Sequence, residues 1–339
     1  MTVAPFVQSW APLKIDALGI VTMLGAKQVD TWIGRLTYSY ITDMLPLLGA
    51  FVIAGNSFTE PIPGFVLHNV TDGIVATDLA GWFTRWLLCQ NISFSQTTIS
   101  ISLARRPRSR PTFLIAYSLA VLSIVPVMAL SVLGSDWWGF ANTVAMAVSI
   151  LVRKVVTELN RTALDVASDE AEATDLEEVK VFLTMSTGQG LIIRTSRAIV
   201  IKCLLSTPQI PKSSFYNLIR GLGWLAFGCH VIALGMSSFV VQLITVVIMV
   251  SATVLATRGV GDTESRIGRR LLLERSDLEG KAARARLFAN LDMTETEENS
   301  MVHWNMFPQR SNAHWWSRYQ TCKQEKSFEK WGEMLILKP

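Results

Sequence analysis

Histidine, cysteine and carboxylate side chains could build a reactive site, and in this chain they are scattered. The four histidines are His68, His230, His303 and His314. Integral hydroxylases and desaturases need several histidines at close spacing to hold metal, so isolated ones exclude that class. His303 and His314 are too far apart for a helical metal pair. Cys89, Cys203, Cys229 and Cys322 contain no CxxC pair, which argues against a zinc site or a disulfide framework. Gly188-Gln189-Gly190 has no Lys-Ser/Thr successor and leads toward a strand, so it does not read as a phosphate loop. No catalytic set, cofactor site or metal site is expected.

Isolated polar residues within apolar stretches are the remaining candidates. Asp43, Asp72 and Asp78 are the acids open to a carboxylate-dependent membrane enzyme. A carboxylate at mid-membrane costs about 2.5–3.5 kcal/mol, and Asp43 lies toward the Arg35 end of its apolar run, so it reads as interfacial. Asp78 and Arg85 have the spacing to share a helical face and pair. His230 and Gln242 flank Gly235 and could meet across a helical hairpin, although ordinary interhelical hydrogen bonding explains them equally well. Asn142 is a further polar residue in such a stretch. Asn69-Val70-Thr71 and Asn91-Ile92-Ser93 are glycosylation sequons, informative only in a lumenal loop.

The elements that position these residues are apolar. Gly221 to Thr257 has no Asp, Glu, Lys or Arg and is closed by Arg220 and Arg258. As one helix it would be about 55 Å long, against about 30 Å of bilayer hydrocarbon, so two short spans with a turn at Gly235–Ser238 fit better. Between Arg110 and Arg153 the only charge is Asp136, beside a Gly134–Trp138 turn. Half of the 339 residues are apolar and 17% are charged; a soluble chain carries about 25%. The spacing predicts a mainly α, multi-pass helical membrane protein of about five spans, including two helical hairpins, with a small cytoplasmic β-hairpin/α module. In the six-span alternative, Ile74–Cys89 also crosses and Asn69 is lumenal.

The expected organisation begins with an amphipathic segment over 1–35 and a first span over 36–58. A polar connector over 59–110 carries a strand near Ile92–Leu103 and a weak extra span over 74–89. A transmembrane hairpin over 111–152 precedes a cytoplasmic acidic helix and β-hairpin over 153–215. A second hairpin, 216–257, leads into an aromatic-rich cytoplasmic tail over 258–339. The net charge of +4 comes from arginine clusters beside apolar runs, such as Arg105–Arg110. Positive-inside flanking explains these better than nucleic acid. It puts Arg153–Arg220 and all that follows Arg258, C-terminus included, in the cytoplasm.

The Val179–Leu205 hairpin, the helix start Tyr216-Asn217-Leu218-Ile219-Arg220-Gly221-Leu222-Gly223-Trp224-Leu225-Ala226-Phe227-Gly228 and the tail's His314-Trp315-Trp316 resemble, in that order, uncharacterised multi-pass membrane proteins of filamentous fungi. The resemblance covers most of the chain, implies a membrane protein and brings no activity or site residues with it. The expected function is non-enzymatic: an accessory or interaction protein in a lipid bilayer, with a cytoplasmic protein partner through the tail. The alternatives are a small-molecule transporter or channel subunit, and a carboxylate-dependent membrane enzyme of fungal secondary metabolism.

Overall fold

Strands from distant parts of the chain meet in one sheet. They are β1 (Thr37–Ser39), β2 (Val66–Asn69), β3 (Ile74–Ala76), β4 (Thr97–Leu103), β5 (Glu178–Thr184), β6 (Gly190–Ser196), β7 (Asp262–Ile267) and β8 (Leu271–Asp277). The structure is a computed structural model that describes residues 26–39, 41–90, 92, 97–104, 111–174, 177–210, 212–260, 262–277 and 284–336. The sheet order is β1-β7-β8-β4-β6-β5-β2-β3. Its pairs are antiparallel except β4 with β6, which run parallel with Ile99 opposite Ile193. The helices are α1 (Ala26–Gly34), α2 (Ala50–Gly55), α3 (Gly81–Cys89), α4 (Pro111–Leu133), α5 (Trp137–Thr174), α6 (Ser213–Met236), α7 (Phe239–Thr257), α8 (Arg284–Ala289), α9 (Glu295–His303) and α10 (Ala313–Ile336).

The fold class expected from sequence is therefore corrected. An eight-stranded mixed sheet stands where a small hairpin module was expected. Among the described residues three helices, α5, α6 and α7, are long and apolar enough to cross a membrane, where about five spans were expected.

The expected first span, 36–58, fails for local reasons. Its apolar bulk is interrupted by Pro46, and Leu36, Gly49 and Asn56 adopt positive φ. The segment folds as β1, a 3-10 turn at Thr42–Met44 and the six-residue α2. A helix of that length rises only about 9 Å. Leu45, Leu47, Leu48, Val52 and Ile53 are buried in protein, among partners that include Ala252 of α7 and Met146 of α5. The weak extra span over 74–89 is also corrected. It divides into β3, a loop exposed at Thr77 and Asp78 but buried at Leu79 and Ala80, and the nine-residue α3. Trp82, Phe83, Trp86 and Leu87 of α3 fill the main core under the sheet.

Both long apolar stretches fold back on themselves. Ser135 takes φ +55° between α4 and α5, and Ser237–Ser238 separates α6 from α7. One carboxylate joins the two turns. Asp136 Oδ1 accepts from the Gly139 amide at 2.8 Å, capping α5, and its Oδ2 accepts from the Ser238 amide at 2.7 Å, at the start of α7. The helix α5 does not stop at Val152. It continues to Thr174, a total length of about 57 Å. Where α5 crosses α6, Gly223 lets the helices approach: a Cβ there would lie 3.0 Å from Val152 Cγ1.

Alternation sorts the sheet's two faces. Val179, Val181, Leu183, Leu191, Ile193, Leu271 and Leu273 join Val156, Leu164 and Ala171 of α5 and the rings of α3. Phe182 and Ile192 point the other way, into a cluster with Leu287, Phe288, Met301, Phe307, Trp316 and Tyr319 from the tail. A Thr294–Glu297 capping box starts α9. β8 ends at Asp277 and α8 covers Arg284–Ala289.

Close approach at the start of α3 yields a stability test. A Cβ on Gly81 would lie 2.3 Å from the Thr59 carbonyl oxygen, whereas one on Gly228 of α6 meets nothing within 4 Å. Gly81→Ala is expected to destabilise by about 1–3 kcal/mol. Gly228→Ala is expected to be neutral or stabilising by up to about 1 kcal/mol. Thermal unfolding of the detergent-solubilised variants measures both.

Candidate functional site

Polar groups buried among apolar neighbours concentrate along one face of α5. Arg153, Thr157, Arg161 and Asp165 follow one another at four-residue spacing, so they stack on one side of the helix. Arg153 Nη2 donates to the carbonyl oxygens of Thr42 and Asp43 at 3.3 and 3.2 Å, and to that of Leu45. Arg161 grips the Asp43 carboxylate with both terminal nitrogens, Nη2 at 3.1 Å from Oδ1, and donates to the Thr37 carbonyl at 2.6 Å. Asp165 Oδ1 accepts from the Arg269 amide at 2.8 Å in the β7–β8 turn. This face of α5 thereby holds the 37–45 segment and the sheet's β7–β8 end. A small cavity lined by Asp43, Arg153, Thr157 and Arg161 lies along it.

A second cavity sits further along α5, toward the Asp136 turn. Met146, Ser149 and Arg153 of α5, Gly223 and His230 of α6, Met249 of α7 and the 46–50 segment line it. The centre of a water molecule has about 20 Å³ to move in, room for a single ordered water. His230 is 3% exposed, and its ring nitrogens have no well-aligned hydrogen-bond partner, the Asn142 carbonyl being the acceptor beside the ring; the buried Ser149 Oγ has none.

The structure separates most of the residues that sequence reasoning singled out. Asp43 lies at the junction with Arg161, outside any apolar helix. Asp78 is exposed ahead of α3, and Arg85 turns instead to Asp30 at 3.0 Å. Arg85 also donates to the carbonyls of Glu60, Gly81 and Ser57. The expected Asp78–Arg85 pair is corrected because α3 begins only at Gly81, so the two residues do not share a helix. His230 and Gln242 do not meet. Gln242 Nε2 returns to the turn, 2.9 Å from the Ser237 carbonyl. Asn142 Nδ2 instead crosses from α5 to α7, to Thr245 Oγ1 at 3.2 Å.

Asn69 is 4% exposed. Its Nδ2 donates to Asp72 Oδ2 at 2.7 Å and its Oδ1 accepts from the Asp72 amide at 3.2 Å. The folded chain therefore offers no free amide nitrogen to a glycan at Asn69. Asn91 lies outside the described residues. Asp72 is also held by Arg197, Nη2 at 2.7 Å, and that guanidinium keeps its carboxyl below the usual range. A carboxyl so held is a poor proton donor. Burial pushes the Cys203 thiol up to about 11, which leaves it an inert core residue. Among the described residues no three His, Cys, Asp or Glu side chains are grouped to hold a metal ion.

Sequence reasoning missed the hydrogen-bond chain in which Asn160 Nδ2 donates to the Tyr216 hydroxyl at 3.0 Å and that hydroxyl donates to Asn56 Oδ1. It also missed the part Arg220 plays, donating to the Ala54 and Gly55 carbonyls at the end of α2. Only a polar residue inside an apolar helix signals such contacts in advance, and it does not name the partner. No protein-family model, curated protein or solved structure matches the chain.

Two outcomes test these assignments. Arg161→Ala leaves the Asp43 carboxylate and the Thr37 carbonyl without their donor. It is expected to cost about 3 kcal/mol in denaturant unfolding, the low end for a broken buried pair, because Asp43 keeps 20% exposure. The second concerns His68, whose ring lies 5.2 Å from that of Trp304 and whose ordinary value of 6.5 is lowered by burial. The fold therefore favours the neutral ring. Its contribution is complete above the unfolded-state value near 6.5 and declines as pH falls from there toward the folded-state value. Stability is expected to decline over that window, and His68→Phe is expected to flatten the decline.

Proposed function

We propose that this chain is a membrane-embedded accessory protein that fixes an α/β domain to the bilayer and presents it on the cytoplasmic side. The observation that carries this reading is the distribution of exposed apolar side chains. Leu122, Leu133, Leu218, Leu225, Ile232, Val247 and Leu255 are all exposed, and all lie on α4, α6 and α7. A surface of that size on neighbouring helices needs lipid or protein against it. The helix α5 then serves as a continuous rod from that layer into the sheet's core.

Sidedness follows from charge. The sheet end of the helices carries Arg153, Arg161, Arg220, Arg258, Arg269 and Arg270, while the Gly134–Asp136 and Ser237–Ser238 turns carry no Lys or Arg. Such an imbalance favours a cytoplasmic sheet. The helix α1 belongs to the same end, because β1, which follows it closely, pairs with β7. A non-enzymatic role is favoured because Asp43 and Asp72 are each gripped by an arginine. Among the described residues, the tail rings of Phe288, Phe307, Trp316 and Tyr319 pack with Phe182 and Ile192, so a partner would meet the domain's outer surface rather than these rings.

Sealed membrane vesicles test the reading. The chain is expected to resist extraction at alkaline pH. A tag inserted at Thr187, between β5 and β6, is expected to be reached only from the cytoplasmic face, and one at Ser135 only from the opposite face. Release into the soluble fraction, or both tags on one side, overturns it.

A further inference from the structure

The cavity between α5, α6 and α7 carries positive charge and hydrogen-bond donors but no carboxylate. Its polar lining is Arg153, Ser149 and His230. Arg153 is 7% exposed, and its hydrogen bonds go to neutral carbonyl oxygens of the 42–45 segment. Among the described residues no carboxylate bonds to it; the one beside that segment, Asp43, is gripped by Arg161. Two arginines thus approach one acid. A guanidinium removed from water without a counter-charge is unfavourable, and an anion in the adjoining space relieves that.

The unpartnered polar atoms point to the same occupant. Ser149 Oγ is buried in the cavity wall without a hydrogen-bond partner, and the His230 ring nitrogens are buried there with no well-aligned one, the Asn142 carbonyl being the acceptor beside the ring. Buried polar atoms are almost always satisfied by protein, water or a ligand. The serine hydroxyl and one imidazole N–H are donors, as is the guanidinium. An anion accepts from all of them at once. The rest of the wall is apolar, including Leu48, Ile53, Met146 and Met249, which keeps bulk water from screening the charge. Size selects within the class. With about 20 Å³ for a water centre, the space takes a single water-sized occupant, so a halide fits and a sulfate does not.

We propose that the cavity between His230 and Arg153 is a halide-binding site, with Arg153 supplying the charge and Ser149 and His230 donating hydrogen bonds. The site requires only the folded helices and not a particular orientation in the membrane. It therefore stands or falls separately from the accessory role.

The experiment uses the full chain purified in detergent and exchanged into sodium gluconate. Sodium chloride or bromide is titrated in at constant ionic strength, with sodium sulfate as the control, and the unfolding midpoint is followed. A saturable rise with chloride and bromide but not sulfate is expected, since a ligand that binds only the folded state stabilises it. Ser149→Ala is expected to weaken the apparent affinity about fivefold, the scale of one hydrogen bond. His230→Asn is expected to weaken it similarly. Arg153→Gln is expected to abolish the response; because Arg153 also holds the 42–45 segment, the other two variants decide the matter if that one does not fold. A midpoint indifferent to halide at fixed ionic strength means that the space holds only water and overturns the proposal. So does a halide response that Ser149→Ala and His230→Asn both leave unchanged.

Discussion

Arg161 and Arg153, eight residues apart on α5, each take a charge out of water, and what they bind determines how the rest of the chain is arranged. Arg161 closes on Asp43 and the Thr37 carbonyl, and Arg153 on the carbonyls from Thr42 to Leu45. A buried guanidinium left without acceptors is strongly unfavourable, so the 37–45 segment cannot leave α5 without exposing that deficit. The segment includes β1, which edges the sheet against β7. Four residues further along, Asp165 takes the β7–β8 turn. The apolar helices and the sheet are thus joined through one helical face and not through a flexible linker.

The sheet tolerates this arrangement because its two faces do different jobs. Toward α5 and α3 it is apolar from β8 across to β5. Toward the tail the apolar patch is smaller, centred on Phe182 and Ile192, with polar Thr98, Ser100 and Glu274 on the neighbouring strands. The tail is held there by polar contacts as well as rings. Lys180 reaches Glu297 at 3.1 Å, and the buried Glu298 takes the Tyr319 hydroxyl at 3.1 Å and Lys323 at 3.0 Å.

The two stretches almost empty of charge and their central turns were legible in the sequence because a deficit of charge over a long run is a one-dimensional signal. Leu36–Phe58 misled because apolar bulk does not say whether lipid or protein covers it; Pro46, Gly49 and Asn56 were the evidence for a broken, protein-covered path. The hairpin of β5 and β6 shows plain alternation over Val179–Leu183, whereas β7 and β8 are joined by the Arg269–Arg270 turn, which with Arg258 and Arg266 reads as a membrane flank. The candidate site was legible only as a set of isolated residues. His230 and Ser149 come from different helices, and what unites them is a cavity that no spacing rule contains. Arg85 was seen as needing an acid, but Asp30 is distant in sequence and nothing local selects it over Asp78.

The position of β4 bears on how the molecule is made. It lies between β6, which follows it by some ninety residues, and β8, which ends at Asp277. During synthesis the centre of the sheet therefore stays open until Asp277 has left the ribosome. By then α4 to α7 have emerged, and the apolar hairpins must find shelter before the domain that anchors them is complete. The order of translation delivers α4 to α7 ahead of β8, so the flank of β4 that β8 covers is among the last parts of the sheet to close.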